Sequence, residues 1–384
     1  MLFSKAVFEL VMGQWHFAQS QNQQWIFFSL LAFDYLISFK KVINMRITVN
    51  PMSLFSLLFF IMVAQGLFVG IVNGNAVFKI FNDTVPLLII GLNILRMQSY
   101  SEIEKPIDFK FLLYSTTLLT FTICILGHIA HSLGNPSVAS IAAGQIYFPI
   151  FFTALFVLRP FPKTILVAFL IMVVISITEI NRSTMLFIIL IIVAFAGIQI
   201  IKSPSKGVFV IIAAIVACSA FWMMLPKDSK TYQRIVGITE LDLSSRTGAV
   251  GERQAEQDAV SHKIYLGGKT TQWTGLGFGG TYNVQFTHKY MTDYGHAHYS
   301  WVWFNLRFGY MGYIYMVIFA SMMLFNAFRS VRIGTDNGVL VALLCISGII
   351  YMMTYVNAIF LSSGIHFLYL HNKNDKQKAE ELEY

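Results

Sequence analysis

The chain has 384 residues, of which 56% are hydrophobic and only 12% are charged, and its mean hydropathy is +0.64. An average soluble protein has about 25% charged residues. So few charges cannot cover a soluble surface, which excludes a cytoplasmic globular enzyme, a disordered chain and a disulfide scaffold. The apolar residues form long runs and do not alternate, which disfavours a transmembrane β-barrel. The sequence therefore predicts an all-α integral membrane protein.

The net charge of +8 is compatible with this class. In a membrane protein an excess of Lys and Arg is typical of cytoplasmic loops, so it does not indicate a nucleic-acid partner. The three cysteines lie in apolar runs without metal-ligand spacing, and we interpret them as core packing. No small-residue cleavage site follows the first apolar stretch, so we expect that stretch to be retained.

Apolar stretches long enough to cross a membrane recur along the chain. A span needs roughly 20 apolar residues, or fewer where the helix is broken. The sequence predicts twelve spans, at about 3–18, 25–39, 52–74, 78–96, 110–128, 140–158, 163–180, 184–201, 207–225, 299–328, 338–356 and 358–371. If the first of these, which is short, lies in the membrane interface instead of crossing the membrane, eleven spans remain.

Basic residues set the predicted orientation. With the N-terminus inside, sixteen Lys and Arg fall on the cytoplasmic side, and the short outer connections hold only Lys79 and Arg182. The long polar segment between the ninth and tenth spans then lies outside the cytoplasm, and we expect an amphipathic helix in it, from Val250 to Tyr265. The predicted organisation is nine membrane helices, a large external loop, three membrane helices and a cytoplasmic tail, in residues 1–225, 226–298, 299–371 and 372–384.

Arginines on the predicted outer side are candidates for binding phosphate. Arg182 lies in a very short connection and precedes a helix whose free N–H groups also favour an anion. Arg246 precedes the predicted amphipathic helix, where a guanidinium can hold a diphosphate bidentately. Arg253, two turns further on, is a weaker candidate. The alternatives are that Arg182 reaches the headgroups or pairs with Glu179, and that Arg246 is an ordinary solvated cation.

The end of the loop carries a glycine string and two histidines. Gly275, Gly277 and Gly279 allow a close-approaching backbone, and we interpret the string as a structural turn because no strand–helix unit surrounds it. His296 and His298 could bind a metal on an extended segment. No carboxylate or cysteine pair with clear ligand spacing accompanies them, so we do not expect a metal site.

His298 is also a candidate general base. Its unperturbed pKa near 6.5 suits removal of a proton from a sugar hydroxyl, and the competing interpretation is an interfacial His in an aromatic belt. In a continuous helix His298 would share one stripe with four later residues, Trp301, Asn305, Gly309 and Gly312. Arg307 lies half a turn off this stripe, and either pairs with a buried acid or binds an anion.

Taken in order, these motifs resemble those of the bacterial O-antigen ligase and O-antigen polymerase family, whose members are integral-membrane glycan transferases that use undecaprenyl-diphosphate-linked sugars. The motifs that carry the resemblance are Asn181-Arg182-Ser183, Ser245-Arg246-Thr247, the string from Gly275 to Gly279, and His298 ahead of Gly309-Tyr310-Met311-Gly312. The family often has Asn after this His, where the present chain has Tyr299.

The resemblance implies a multi-pass protein of the bacterial inner membrane with its active site on the outer face. Arg182 and Arg246 would bind the donor diphosphate, His298 would be the base, and the reaction would invert the anomeric centre without a metal or cofactor. We expect a polymerase of lipid-linked repeat units, and a ligase that transfers finished chains to lipid A–core is the alternative. A chain-length regulator or a flippase is a candidate partner. An O-acyltransferase and a polysaccharide transporter are more distant alternatives.

Overall fold

A computed structural model describes residues 51–100, 203–224, 248–286 and 289–333. It also describes single positions between 29 and 37, at 125, 163, 167 and 227, between 193 and 201, and between 342 and 349. Arg182, Arg246, the C-terminal tail and most of the other predicted spans lie outside the described residues. In chain order the elements are α1 Pro51–Val72, α2 Val77–Tyr100, α3 Pro204–Met224, α4 Gly248–Leu266, α5 Gly268–Thr274, β1 Tyr282–Gln285, β2 Tyr290–Tyr294, α6 Ser300–Phe308 and α7 Tyr310–Ile333.

The described part of the chain is mostly helical, and two of its helices are long and apolar enough to cross a membrane. These segments are Leu54–Val72 in α1 and Tyr310–Arg332 in α7. The expected helices at 52–74, 78–96 and 207–225 are present as α1, α2 and α3. The amphipathic helix expected from Val250 to Tyr265 is present as α4.

One predicted span differs from the structure. The sequence predicts one continuous helix over 299–328, whereas α6 ends at Phe308 and α7 begins at Tyr310. Between them Gly309 has a φ of +58°. A Cβ on Gly309 would lie 2.3 Å from the carbonyl oxygen of Gln272. The backbone near the end of α5 therefore packs directly against Gly309 and leaves no room for a side chain there. The expected stripe from His298 to Gly312 is therefore wrong, because helical periodicity does not continue through Gly309.

Helices α1 and α7 pack against each other through aromatic and polar side chains. Phe55 and Phe319 have ring centroids 4.8 Å apart, and the Tyr315 hydroxyl donates a hydrogen bond of 2.6 Å to Gln65 Oε1. The opposite faces of both helices are exposed and apolar, with Leu57 and Ile61 on α1. A face of this kind suits contact with lipid.

The glycine string joins the loop to the helices, as the predicted structural turn requires. Leu276 donates its N–H to the carbonyl of Leu306 at 2.8 Å, and Phe278 donates to that of Gly66, also at 2.8 Å. A Cβ at Gly277, where φ is +72°, would lie 2.1 Å from the Gly70 nitrogen. The string therefore lies against the end of α1 and the end of α6 with no space for side chains.

A short hairpin follows the string. Strands β1 and β2 are antiparallel, and Tyr282 pairs with Tyr294, Val284 with Met291. Tyr282 and Val284 are buried and alternate with exposed residues, because successive side chains of a strand point to opposite faces. Helix α4 packs against β1. The hairpin leads directly to the segment 295–299, which holds His296 and His298.

Candidate functional site

His298 lies between β2 and α6 and is held at two atoms by one carboxylate. Its backbone N–H donates to Glu256 Oε2 at 3.0 Å, and its ring Nδ1 lies 2.6 Å from Glu256 Oε1. The imidazole keeps 36% of its side-chain surface exposed, whereas the Glu256 side chain keeps only 1%. The ring is therefore held at Nδ1 and keeps part of its surface exposed.

Glu256 comes from the centre of α4, 42 residues earlier in the chain. It shares a face of α4 with Val260 and Ile264, which are both buried, because residues four apart in a helix lie one above the other. The expected apolar face included Val260 and Ile264 but missed Glu256. A carboxylate in phase with a buried apolar stripe is the sequence signal that could have found it, because an isolated buried charge is costly.

The surroundings of Glu256 bring its titration close to neutral pH. Burial raises the pKa of its carboxyl from 4.5 to about 7, although Arg253 opposes the rise. The Arg253 guanidinium lies 3.8 Å from Glu256 Oε1, one turn earlier on α4. Glu256 thus forms one cluster with Arg253 and His298. Protonation of Glu256 near pH 7 changes the net charge of this cluster by one.

The contact with Glu256 selects one form of the imidazole. An ionised carboxylate only accepts hydrogen bonds, so Nδ1 must carry a hydrogen when Glu256 is ionised. The neutral ring then has its lone pair on Nε2, the nitrogen that Glu256 does not contact. We infer this tautomer from the hydrogen-bond partners. In this form Nε2 is the nitrogen of His298 that can accept a proton.

His296 lies beside His298 but does not share its carboxylate. The two rings meet edge to face with centroids 4.8 Å apart, and the His296 carbonyl accepts a hydrogen bond of 2.6 Å from the Tyr282 hydroxyl. Burial raises the pKa of Tyr282, so this hydroxyl stays protonated. Within the described residues no three His, Cys, Asp or Glu side chains come together as a metal site. His296 is a neighbour of His298, and its backbone carbonyl is held by Tyr282 of β1.

Arg307, which the sequence left between two interpretations, pairs with a buried acid. Its Nε lies 2.8 Å from Asp83 Oδ2, and its Nη2 donates to Asp83 Oδ1 at 3.1 Å and to the Gly295 carbonyl at 2.6 Å. Its Nη1 donates to the carbonyl of Gly280. The side chain is 1% exposed, and both Nη atoms donate hydrogen bonds to protein oxygens. Arg307 thus ties the loop to α2 and has no face open for an anion.

The remaining supporting candidate, Asn305, lies inside α6 and is buried. Its Oδ1 has no hydrogen-bond partner within the described residues. The structure therefore gathers His298, Glu256 and Arg253, places His296 next to them, and uses Arg307 elsewhere.

Comparisons with protein-family models, with curated proteins and with solved structures find no match to this chain. The arrangement of the cluster itself is the basis for reasoning about function. It offers an oriented imidazole whose Nε2 has no partner among the described residues, a buried carboxylate at Nδ1, and a nearby guanidinium.

Proposed function

We propose that this protein is a membrane glycosyltransferase that polymerises undecaprenyl-diphosphate-linked oligosaccharide repeat units. The observation that carries the proposal is the pairing of His298 Nδ1 with the buried Glu256, which leaves Nε2 as the ring nitrogen able to accept a proton. A base of this kind is what transfer to a sugar hydroxyl needs, because a lipid diphosphate is already a good leaving group.

The proposed reaction has one chemical step. Nε2 of His298 takes the hydroxyl proton of the acceptor sugar as the hydroxyl oxygen bonds to the anomeric carbon of the donor. The bond from that carbon to the diphosphate oxygen breaks, and undecaprenyl diphosphate leaves with the electron pair. Attack opposite the leaving group inverts the anomeric centre. Glu256 accepts the Nδ1–H and stabilises the imidazolium that forms.

The leaving diphosphate needs positive charge, which we assign to arginines. Arg182 and Arg246, which lie outside the described residues, keep this role as predictions. Arg253 is the described arginine next to the base, with 28% of its side chain exposed. Guanidinium groups can neutralise the diphosphate as charge develops, so the scheme requires no metal or cofactor.

We propose that the site lies on the outer face of the bacterial inner membrane, within a chain of about twelve spans. Two contacts support this placement. The glycine string of the loop packs against Gly70 at the end of α1, and Lys79 at the start of α2 donates to the Asp293 carbonyl. The loop and the connection between α1 and α2 thus lie on one side, which the distribution of basic residues makes the outer side.

The test is a surface-glycan gel with lipid-linked intermediates extracted from the same cells, after replacement of the gene by His298→Ala. We expect core lipid with a single repeat unit, as in the deletion strain. The matched control is His262→Ala, which removes an exposed histidine of α4 and should leave long chains. Bare core with long chains on the carrier lipid would indicate a ligase instead. A normal ladder from His298→Ala would refute the assigned base.

A further inference from the structure

The first turn of α7 marks a level along a candidate membrane span. In the first three turns of α7 the side chains of Tyr313, Ile314, Val317 and Ile318 are exposed, and the helix from Tyr310 to Arg332 is apolar enough to cross a membrane. Exposed apolar side chains on a spanning helix face lipid tails. Tyr310, the first residue of α7, then lies at the boundary between lipid and water.

The short helix α5 is fixed at this same level by backbone contact. A Cβ at Gly309 would lie 2.3 Å from the Gln272 carbonyl oxygen and 2.8 Å from the Trp273 carbonyl carbon. The Trp273 ring meets the Tyr310 ring edge to face, with centroids 5.5 Å apart. Trp273 therefore lies beside the end of the candidate span, and α5 cannot move away from it without breaking this contact.

Large side chains at the end of α4, in α5 and at the start of α7 are exposed. Tyr265 is 71% exposed, Leu266 is 68% exposed, Trp273 is 54% exposed and Tyr310 is 47% exposed. We call these four residues the aromatic edge. Exposed apolar groups of this size mark an interaction surface. Trp and Tyr are enriched at the headgroup level of membranes, because one part of each ring system is apolar and another is polar.

The charges next to the aromatic edge suit a lipid partner. Lys263 and Lys269 flank the edge and are exposed, and a Lys can keep its apolar stem along the surface while its ammonium group meets a lipid phosphate. No Asp or Glu lies between Lys263 and Trp273 in the sequence. The edge is continuous with the lipid-facing side of α7, which a docked soluble protein could not share.

We propose that the aromatic edge lies in the headgroup region of the bilayer and anchors the junction of α4 and α5 to the membrane surface. This inference does not depend on the proposed function. Its consequence for the site is geometric, because α4 also carries Glu256. An anchor at the C-terminal end of α4 holds Glu256, and with it His298, at a constant height above the bilayer.

The test compares positions that are all exposed in the structure. Leu266→Cys, Trp273→Cys and the control Asn283→Cys, on an exposed site of β1, are made in a variant without Cys124, Cys218 and Cys345. Each is labelled with NBD and placed in vesicles of phosphatidylethanolamine and phosphatidylglycerol that contain lipids with a nitroxide near the headgroup. We expect quenching at positions 266 and 273 to be several-fold stronger than at 283.

Two outcomes would overturn the inference. Quenching at positions 266 and 273 that is as weak as at position 283 would mean that the aromatic edge is in water. Blue-shifted emission at 266 and 273 without lipid quenching would mean that protein, such as a second copy of the chain, covers the edge. Leu266→Cys keeps Trp273 and its contact with Tyr310, so it provides the result if Trp273→Cys does not fold.

Discussion

Glu256→Gln tests the pairing on which the proposed mechanism depends. The change keeps the size of the side chain but replaces an oxygen that accepts the Nδ1–H, at 2.6 Å, with either a neutral carbonyl or an NH₂ donor. An NH₂ group in that place would donate to Nδ1 and move the ring hydrogen to Nε2, where no proton could then be accepted. General base catalysis contributes typically 10²- to 10⁴-fold. We therefore expect kcat to fall by about 10²- to 10⁴-fold.

The assay measures repeat units joined per minute by the purified protein from a lipid-linked donor. Glu252→Gln is the matched control, because Glu252 lies one turn earlier on α4 and is less buried. Its rate should stay within a few-fold of the wild type. If Glu256→Gln kept the wild-type rate while His298→Ala were inactive, the orientation of His298 by Glu256 would be refuted.

The pH profile separates this role from a merely structural one. Since burial raises the pKa of Glu256 to about 7, its ionised, proton-accepting form is present above that pH. The wild-type rate should therefore rise as pH passes through about 7, and the residual rate of Glu256→Gln should lack this rise. A variant damaged only in its fold would keep the wild-type pH profile at a lower rate.

Three further predictions concern stability. The folded protein binds the Glu256 proton more tightly than the unfolded chain does, so protonation of Glu256 stabilises the fold. This stabilisation is complete below pH about 4.5 and is lost as pH rises through about 7. We therefore expect Tm to fall over this pH range, and to fall less in Glu256→Gln. Asp83→Ala leaves the buried Arg307 without its acid and should cost about 3–5 kcal/mol of unfolding free energy, whereas Asp258→Ala, on the exposed surface of α4, should leave Tm unchanged. Gly277→Ala should prevent folding, because its Cβ would lie 2.1 Å from a backbone atom. Gly268→Ala, at a φ of +82° with open space around it, should lower the unfolding free energy by only about 1–3 kcal/mol. Equal Tm values for the two variants would contradict the packing of the glycine string.

The helices that the sequence predicted correctly are those with a local signal. Long apolar runs gave α1, α2 and α3, and apolar periodicity gave α4. The break at Gly309 has no such signal, because the residues on either side of it are apolar or aromatic in both helices. At the break, Gly309 packs against the backbone of Gln272 and Trp273 in α5, which lie 37 and 36 residues earlier in the chain. A contact of that range cannot be read from a local pattern.

The residues of the candidate site could be named from the sequence, but their partners could not. The sequence singled out His298 and left open whether Arg307 pairs with an acid or binds an anion. The partners of both residues are distant in the chain. Glu256 is 42 positions from His298, and Asp83 is 224 positions from Arg307. The turn formed by the glycine string was predicted, because alternating glycines indicate a close backbone approach. Its partners on α1 were not, since nothing near Gly66 or Gly70 specifies them.

The most direct test of the central claim uses the purified protein in lipid vesicles with an undecaprenyl-diphosphate-linked repeat unit as both donor and acceptor. The account predicts lipid-linked products of increasing length, with one undecaprenyl diphosphate released for each new glycosidic bond. It also predicts that His298→Ala forms no product and that His262→Ala forms it at the wild-type rate. Chain extension by His298→Ala at the wild-type rate, or no extension by the wild-type protein with its natural repeat unit, would contradict the account.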